Sequence, residues 1–226
     1  MSSGIFLIQD DESLVQMTET PYDTEDLLQG LLEKYPSLLA GDQMGASEPR
    51  RWLLIRREVG VADSESGSNR WSIDHLFLDQ DAIPTLIEVK RSSDTRIRRE
   101  VVGQMLDYAA NGVVYWRIDE LRGIFERNCE SFGKDPQETL VEFLGGDADI
   151  DDFWQKAKTN LQAGRVRMVF VADVIPNELK RIVEFLNEQM DPAEVLAVEI
   201  KQYITKDSGL RSLVPRVVGQ TAEAEK

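Results

Sequence analysis

The chain has 226 residues, 42% of them hydrophobic, enough to bury a substantial core in one elaborated domain. Its one cysteine, Cys129, excludes an internal disulfide and fits a reducing cytoplasm, and no stretch reaches the roughly 20 apolar residues of a membrane span, so no membrane partner is expected. A net charge of −15 sits awkwardly with phosphate binding, yet basic residues are locally dense: Arg50, Arg51, Arg56 and Arg57, then Lys90, Arg91, Arg96, Arg98 and Arg99. That pattern leaves two readings open, a basic strip on an acidic body and ordinary solvated charge.

Ile5 to Ile8 and Leu14 to Met17 read as short strands around the turn-prone Gln9-Asp10-Asp11-Glu12-Ser13, a hairpin within residues 1–20. The start has no basic n-region, and its apolar run is too short for a signal peptide. Asp23 or Thr24 caps a helix with Leu27, Leu28, Leu31, Leu32 and Tyr35 at helical spacing, and Pro36 stops it near Tyr35. Gly41 to Pro49 reads as a loop, Trp52 to Val59 as a strand, and Asp63 to Asn69 as a mobile connection. Trp71 to Leu78 and Thr85 to Lys90 flank the polar Asp79-Gln80-Asp81, which predicts an antiparallel hairpin. A helix from about Asp94 to Ala110 follows. At about 100° per residue it puts Ile97, Val101, Gln104 and Tyr108 on one stripe.

From Val113 to Gly164 the pattern is mostly helical, broken at Gly133-Lys134-Asp135-Pro136 and Gly145-Gly146-Asp147, and reads as a helical insertion that holds Cys129 half-buried. Arg165 to Ala172 is a buried strand, Pro176 starts an amphipathic helix, and Glu194 to Ile204 is a further strand. This strand-helix-strand order predicts a crossover that closes a mixed sheet. The expected class is α/β, with the main domain over 21–206 and a loose tail over 207–226.

The chemistry concentrates on two strands. Side chains alternate along a strand, so Glu88 and Lys90 share one face while Ile87 and Val89 take the other; Asp74 shares its face with Ser72 and Leu76. Two carboxylates and an ammonium converging above apolar residues are costly unless a cation compensates. Hard oxygen ligands without a Cys/His cluster favour Mg²⁺ or Mn²⁺ over zinc. His75, the only histidine, points away from Asp74 and reads as a packed or surface residue.

The order helix, strand, strand with Asp, strand with Glu-x-Lys, helix with Gln and Tyr resembles the PD-(D/E)xK nuclease superfamily, the restriction-endonuclease-like fold. The likeness is closer to its branch of archaeal and actinobacterial mismatch- and flap-cleaving endonucleases. It rests on Glu25 in Thr24-Glu25-Asp26-Leu27-Leu28, Asp74 in Ile73-Asp74-His75-Leu76, Glu88-Val89-Lys90-Arg91, and Gln104 and Tyr108. It covers about residues 21–110, leaving out the hairpin and the insertion, and Ile73 stands where the superfamily's name has proline.

The resemblance implies that Asp74, Glu88 and the Val89 carbonyl bind a divalent metal and that Lys90 orients the attacking water or stabilises the charge that builds during attack. It implies that Gln104 and Tyr108 hydrogen-bond Lys90, the water or a phosphate, and that Glu25 holds a metal-bound water or a second ion. Each has a plainer counterpart: core packing for Gln104 and Tyr108, and a first-turn acid favoured by the helix dipole for Glu25. Glu58 is a rival fourth carboxylate. Arg91, Arg96, Arg98 and Arg99 would meet the DNA backbone, or form a solvated face. The implied function is Mg²⁺-dependent hydrolysis of DNA phosphodiester bonds in repair or defence. The alternatives are a catalytically silent nuclease-fold binding or assembly protein, whose hairpin and insertion serve a partner or a second copy in a homodimer, and an acidic αβ interaction domain unrelated to nucleases.

Overall fold

Among the described residues eight strands form one mixed sheet, and helices cover both of its faces. The computed structural model describes residues 4–44, 48–61, 71–98, 100–146, 149–206 and 209–219. β1 (Ile5–Ile8) and β2 (Leu14–Glu19) form the expected hairpin. α1 (Glu25–Lys34) follows, capped by Thr24, whose hydroxyl accepts from the Leu27 N–H at 3.1 Å. β3 (Trp52–Val61), β4 (Trp71–Asp79) and β5 (Pro84–Lys90) then run antiparallel in sequence. Four helices come next: α2 (Glu100–Tyr115), α3 (Ile118–Ser131), α4 (Pro136–Leu144) and α5 (Ile150–Gln162). β6 (Arg167–Ala172), α6 (Asn177–Gln189) and β7 (Glu194–Thr205) form the crossover, with β5, β6 and β7 parallel. β8 (Arg211–Val218) pairs antiparallel with β7.

Two faces give two cores. On one side α1 lays Leu28 and Leu32, one helical turn apart, over Phe77, Ile87, Val89, Val169 and Val198. On the other, Leu76, Leu78, Leu86, Met168 and Phe170 lie under α2, α3, α5 and α6. Burial on both sides explains why every residue of β5 and β6 is buried and why both strands are largely apolar.

β7 is longer than its neighbours. β6 and β8 both pair with Ala197–Glu199 and so occupy opposite edges. β2 pairs with Tyr203–Thr205, which β8 also partly covers, so the hairpin lies on the β6 edge, beyond the end of β6. The N-terminal hairpin is therefore continuous with the main sheet.

Three sequence expectations need correction. The segment expected to be a loose tail after Lys206 contributes β8, stapled by the Gln43 side chain to the Pro215 carbonyl (3.2 Å) and the Val217 N–H (2.9 Å). The helix expected from Asp94 to Ala110 is a 3₁₀ turn at Thr95–Arg98 followed by α2, which runs on to Tyr115. Asp94 accepts from the Arg96 N–H at 2.9 Å at the start of that turn. α2 thus runs past Val113, where the helical insertion was expected to begin. The connection expected over Asp63 to Asn69 lies outside the described residues.

Candidate functional site

The register His75↔Ile87 between β4 and β5 carries Asp74 to the level of Glu88. Asp74 accepts a 2.7 Å hydrogen bond from the Val89 N–H through Oδ2, which locks the acid against the neighbouring strand. Lys90 lies two residues beyond Glu88 on the same face. Its Nζ is 2.9 Å from Glu88 Oε1 and 3.2 Å from Glu25 Oε1, and it also donates to the Val89 carbonyl at 3.0 Å. The Glu88 and Lys90 side chains are 5% and 9% exposed, while Glu25 at 29% forms the open side of the cluster.

Burial dominates the electrostatics. It raises the Asp74 carboxyl to about 6, against the pull of the Val89 N–H and the Lys90 ammonium. It raises Glu88 to about 7, with the Asp74 charge adding and Lys90 opposing. Burial works against the Lys90 ammonium, but the Glu88 and Asp74 carboxylates outweigh it and hold its pKa above the ordinary value. Tyr108, from α2, is pushed up to about 12 by burial and then by Glu88 and Asp74, so its hydroxyl stays protonated beside the acids. Among the described residues Glu88 Oε2 is a buried acceptor without a partner, and so, on α2, is Gln104 Oε1. The cluster is thus short of positive charge and of donors.

α1 is clamped where it meets the site. Arg57 on β3 pairs with Asp26 and donates to Gln29 Oε1 at 2.8 Å. His75 Nε2 lies 3.0 Å from the Gln29 carbonyl oxygen. Burial drives the His75 pKa down to about 4, so the ring is neutral and packs against Phe77 at 5.8 Å. The first turn of α1 therefore projects Glu25 toward Lys90 and Asp26 toward Arg57. Arg57 was placed by sequence only within a basic run; its signal was a charged residue on a strand whose neighbours Ile55 and Val59 are core.

Of the candidate residues, the structure gathers Asp74, Glu88, Lys90 and Glu25 into direct or one-step contact, with Tyr108 beside them. Glu58 is exposed, in the left-handed conformation (φ 56°), and is no part of the cluster. Arg91 is pinned to the backbone carbonyls of Tyr22 (3.3 Å) and Asp23 (2.7 Å), and exposed Arg96 pairs with Asp94 at 2.6 Å. Arg91 and Arg96 border a hollow at the mouth of the site with Glu25. The Arg98 backbone ends the 3₁₀ turn, and Arg99 lies outside the described residues. Cys129, expected half-buried, is buried on α3 within its apolar core.

The oxygens available to a hard cation are Glu88 Oε2, the Asp74 carboxylate and the Val89 carbonyl. Among the described residues no three His, Cys, Asp or Glu side chains are grouped to hold a metal ion, and the Val89 carbonyl is engaged by Lys90. Two buried carboxyls raised toward neutrality with one unpartnered oxygen nevertheless fit a divalent ion with water completing its shell. No family model, curated protein or solved structure matches the chain.

Proposed function

We propose that this chain is a metal-dependent nuclease, built on a restriction-endonuclease-like core, that hydrolyses DNA phosphodiester bonds in repair or defence. The observation that carries the reading is the shared burial of Asp74, Glu88 and Lys90, with Glu88 Oε2 left without a partner among the described residues. A purely structural cluster would be expected to satisfy its own acceptors. The order α1, β3, β4, β5, α2, β6 around it supports the PD-(D/E)xK likeness.

Asp74, Glu88 and the Val89 carbonyl would hold Mg²⁺ or Mn²⁺, which when bound polarises the phosphoryl group and acidifies a water. Lys90, kept protonated by its carboxylate neighbours, offers a donor to charge that develops on the phosphoryl oxygens. Gln104 offers its amide group, and Tyr108 a protonated hydroxyl, to the water or a phosphate. Glu25 holds Lys90 in line from the open side. The direct test incubates the protein with single-stranded, duplex, flap and mismatched DNA in Mg²⁺ or Mn²⁺. Cleavage that needs the ion and vanishes in Asp74→Ala supports the reading, and intact DNA in every arm removes it.

One observation favours a second reading, a silent nuclease-fold protein that binds or assembles. Lys90 is held by Glu25, Glu88 and the Val89 carbonyl together, so the cluster is partly neutralised without a cation. The net charge of −15 agrees with it. Calorimetric titration with Mn²⁺ separates the two, because only the first requires binding.

A further inference from the structure

We infer that the groove between α1, β3 and the end of α3 holds an unpaired stretch of nucleic acid beside the candidate site, with Arg56 and Arg127 on its phosphates and Phe132 stacked on a base. The inference rests on the nuclease reading and adds a binding surface to it. The groove, about 550 Å³, begins at Asp26 and Arg57 and ends at Ser131 and Phe132. Its near end is next to the site in sequence on α1: Asp26 and Glu25 are consecutive, one turned to Arg57 and the other to Lys90. Arg57 is also close enough to pull the Asp74 pKa downward.

Three features favour phosphate and base. Arg56 and Arg127 are exposed and, among the described residues, their side chains make no hydrogen bond or ion pair, unlike that of Arg57. The three guanidinium groups balance the carboxylates of Asp26, Glu33 and Glu58. The hollows against α3–α5 and at the far end of the sheet carry more acid than base, so on this acidic body the groove is the better place for an anion. Phe132 is 58% exposed at the end of α3, an aromatic face standing in a polar groove. Arginines along a backbone beside an exposed ring are the means by which proteins hold single strands without reading sequence. A duplex keeps its bases stacked inside and offers that ring nothing. Because α3 belongs to the insertion, the groove gives that segment a task.

The test measures anisotropy of labelled single-stranded DNA and RNA 12-mers and a blunt DNA duplex, in EDTA so that nothing is cut. Wild type, Arg56→Ala/Arg127→Ala and Phe132→Ala are compared, with circular dichroism confirming that each is folded. The double variant should lower the slope of log affinity against log salt by about 0.7 per arginine on the single strand. Phe132→Ala should weaken single-strand binding about tenfold and leave duplex binding unchanged. Wild-type affinities and slopes in the variants, an equal loss on duplex, or no wild-type binding of either single strand overturns the groove. Single-strand binding lost in these variants, by a protein that cleaves nothing with Mg²⁺ or Mn²⁺, supports the groove and removes only the catalytic reading. Preference between the DNA and RNA 12-mers identifies the strand.

Discussion

The Asp74 carboxylate and the Val89 N–H are joined at 2.7 Å, so the acid on β4 is fixed against the strand that carries Glu88 and Lys90. Because Oδ2 is committed to that bond, Asp74 presents a pre-oriented carboxylate at the level of Glu88 on the next strand. Wild type is expected to bind Mn²⁺ in calorimetry. Asp74→Ala removes a ligand, so its affinity should fall by more than the roughly 10–100-fold seen for supporting residues. Equal binding heats in the two proteins would exclude Asp74 from the site.

The raised carboxyls make the metal-free protein sensitive to pH. Folded-state values of about 6 for Asp74 and about 7 for Glu88 lie above the roughly 4 of free carboxyls, so the folded protein takes up protons that the unfolded chain does not. This contribution to stability is fully present below about pH 4 and is lost as pH rises through the folded values. Asp74→Asn keeps an acceptor for the Val89 N–H but removes one charge. Its thermal midpoint at pH 7.5 should match or exceed wild type, and the fall between pH 5.5 and 7.5 should shrink. His75 runs in the opposite direction, since its lowered pKa contributes stability that is lost as pH falls toward 4, but both proteins share it. An unchanged pH profile in Asp74→Asn would mean that burial at this cluster does not govern stability.

Among the described residues, Lys90 is the cation paired at once with Glu88 and Glu25. Lys90→Ala and Glu88→Ala should each lower single-turnover cleavage by at least about 10²–10³-fold, the scale of losing one preorganised charge-stabilising group. Glu25→Gln should lose less, because Glu25 is the most solvent-exposed contact of Lys90. Circular dichroism should show all three folded. Wild-type rates in Lys90→Ala would leave the ammonium a purely structural role.

What the sequence made legible follows from how local each signal is. Thr24 before the Leu27–Leu28–Leu31–Leu32 pattern and the polar turn at Asp79-Gln80-Asp81 are short-range signals, and α1 and the β4/β5 hairpin form where they point. Alternation along β5 sufficed to put Glu88 and Lys90 on one face. β8 was hidden because Pro215 interrupts a short, partly polar run; proline is tolerated on an edge strand, and an edge is where β8 lies. The Glu25–Lys90 contact spans 65 residues and depends on how α1 packs, so from sequence Glu25 was equally a first-turn acid. Arg57, Gln29 and His75, which set that packing, carry no local signal of doing so.

β8 matters to the fold because it covers β7 from Ala197 to Ile204. A chain ending at Lys206 would lose this ladder and the two Gln43 staples, each worth about 1 kcal/mol net. It would also bare the edge of a central, apolar strand. The truncated protein should melt at least about 10 °C lower, given roughly 2–4 °C per kcal/mol at this size, and should self-associate in size-exclusion chromatography. A monomer with the full-length midpoint would make β8 dispensable.

Arg167 offers a control that separates stability from function. It lies at the start of β6, in register with Thr85 and Glu194, about 16 Å along the strands from Lys90. Its Nη1 is 2.9 Å from Asp79 Oδ2, both side chains being almost wholly buried, and its Nε pairs with Glu194. Arg167→Met would leave Asp79 with Arg50 at 3.4 Å and two backbone N–H groups, so a buried carboxylate would lose its main counter-charge. The expected cost is about 3–5 kcal/mol in urea unfolding. Adding Asp79→Asn removes the stranded charge and should recover part of it, a coupling the double-mutant cycle measures directly. Mn²⁺ affinity and cleavage per folded molecule should stay at wild-type values, since nothing within reach of Asp74 or Glu88 changes. Loss of metal binding in folded Arg167→Met would tie the two ends of the sheet together and contradict the assignment of Arg167 to stability alone.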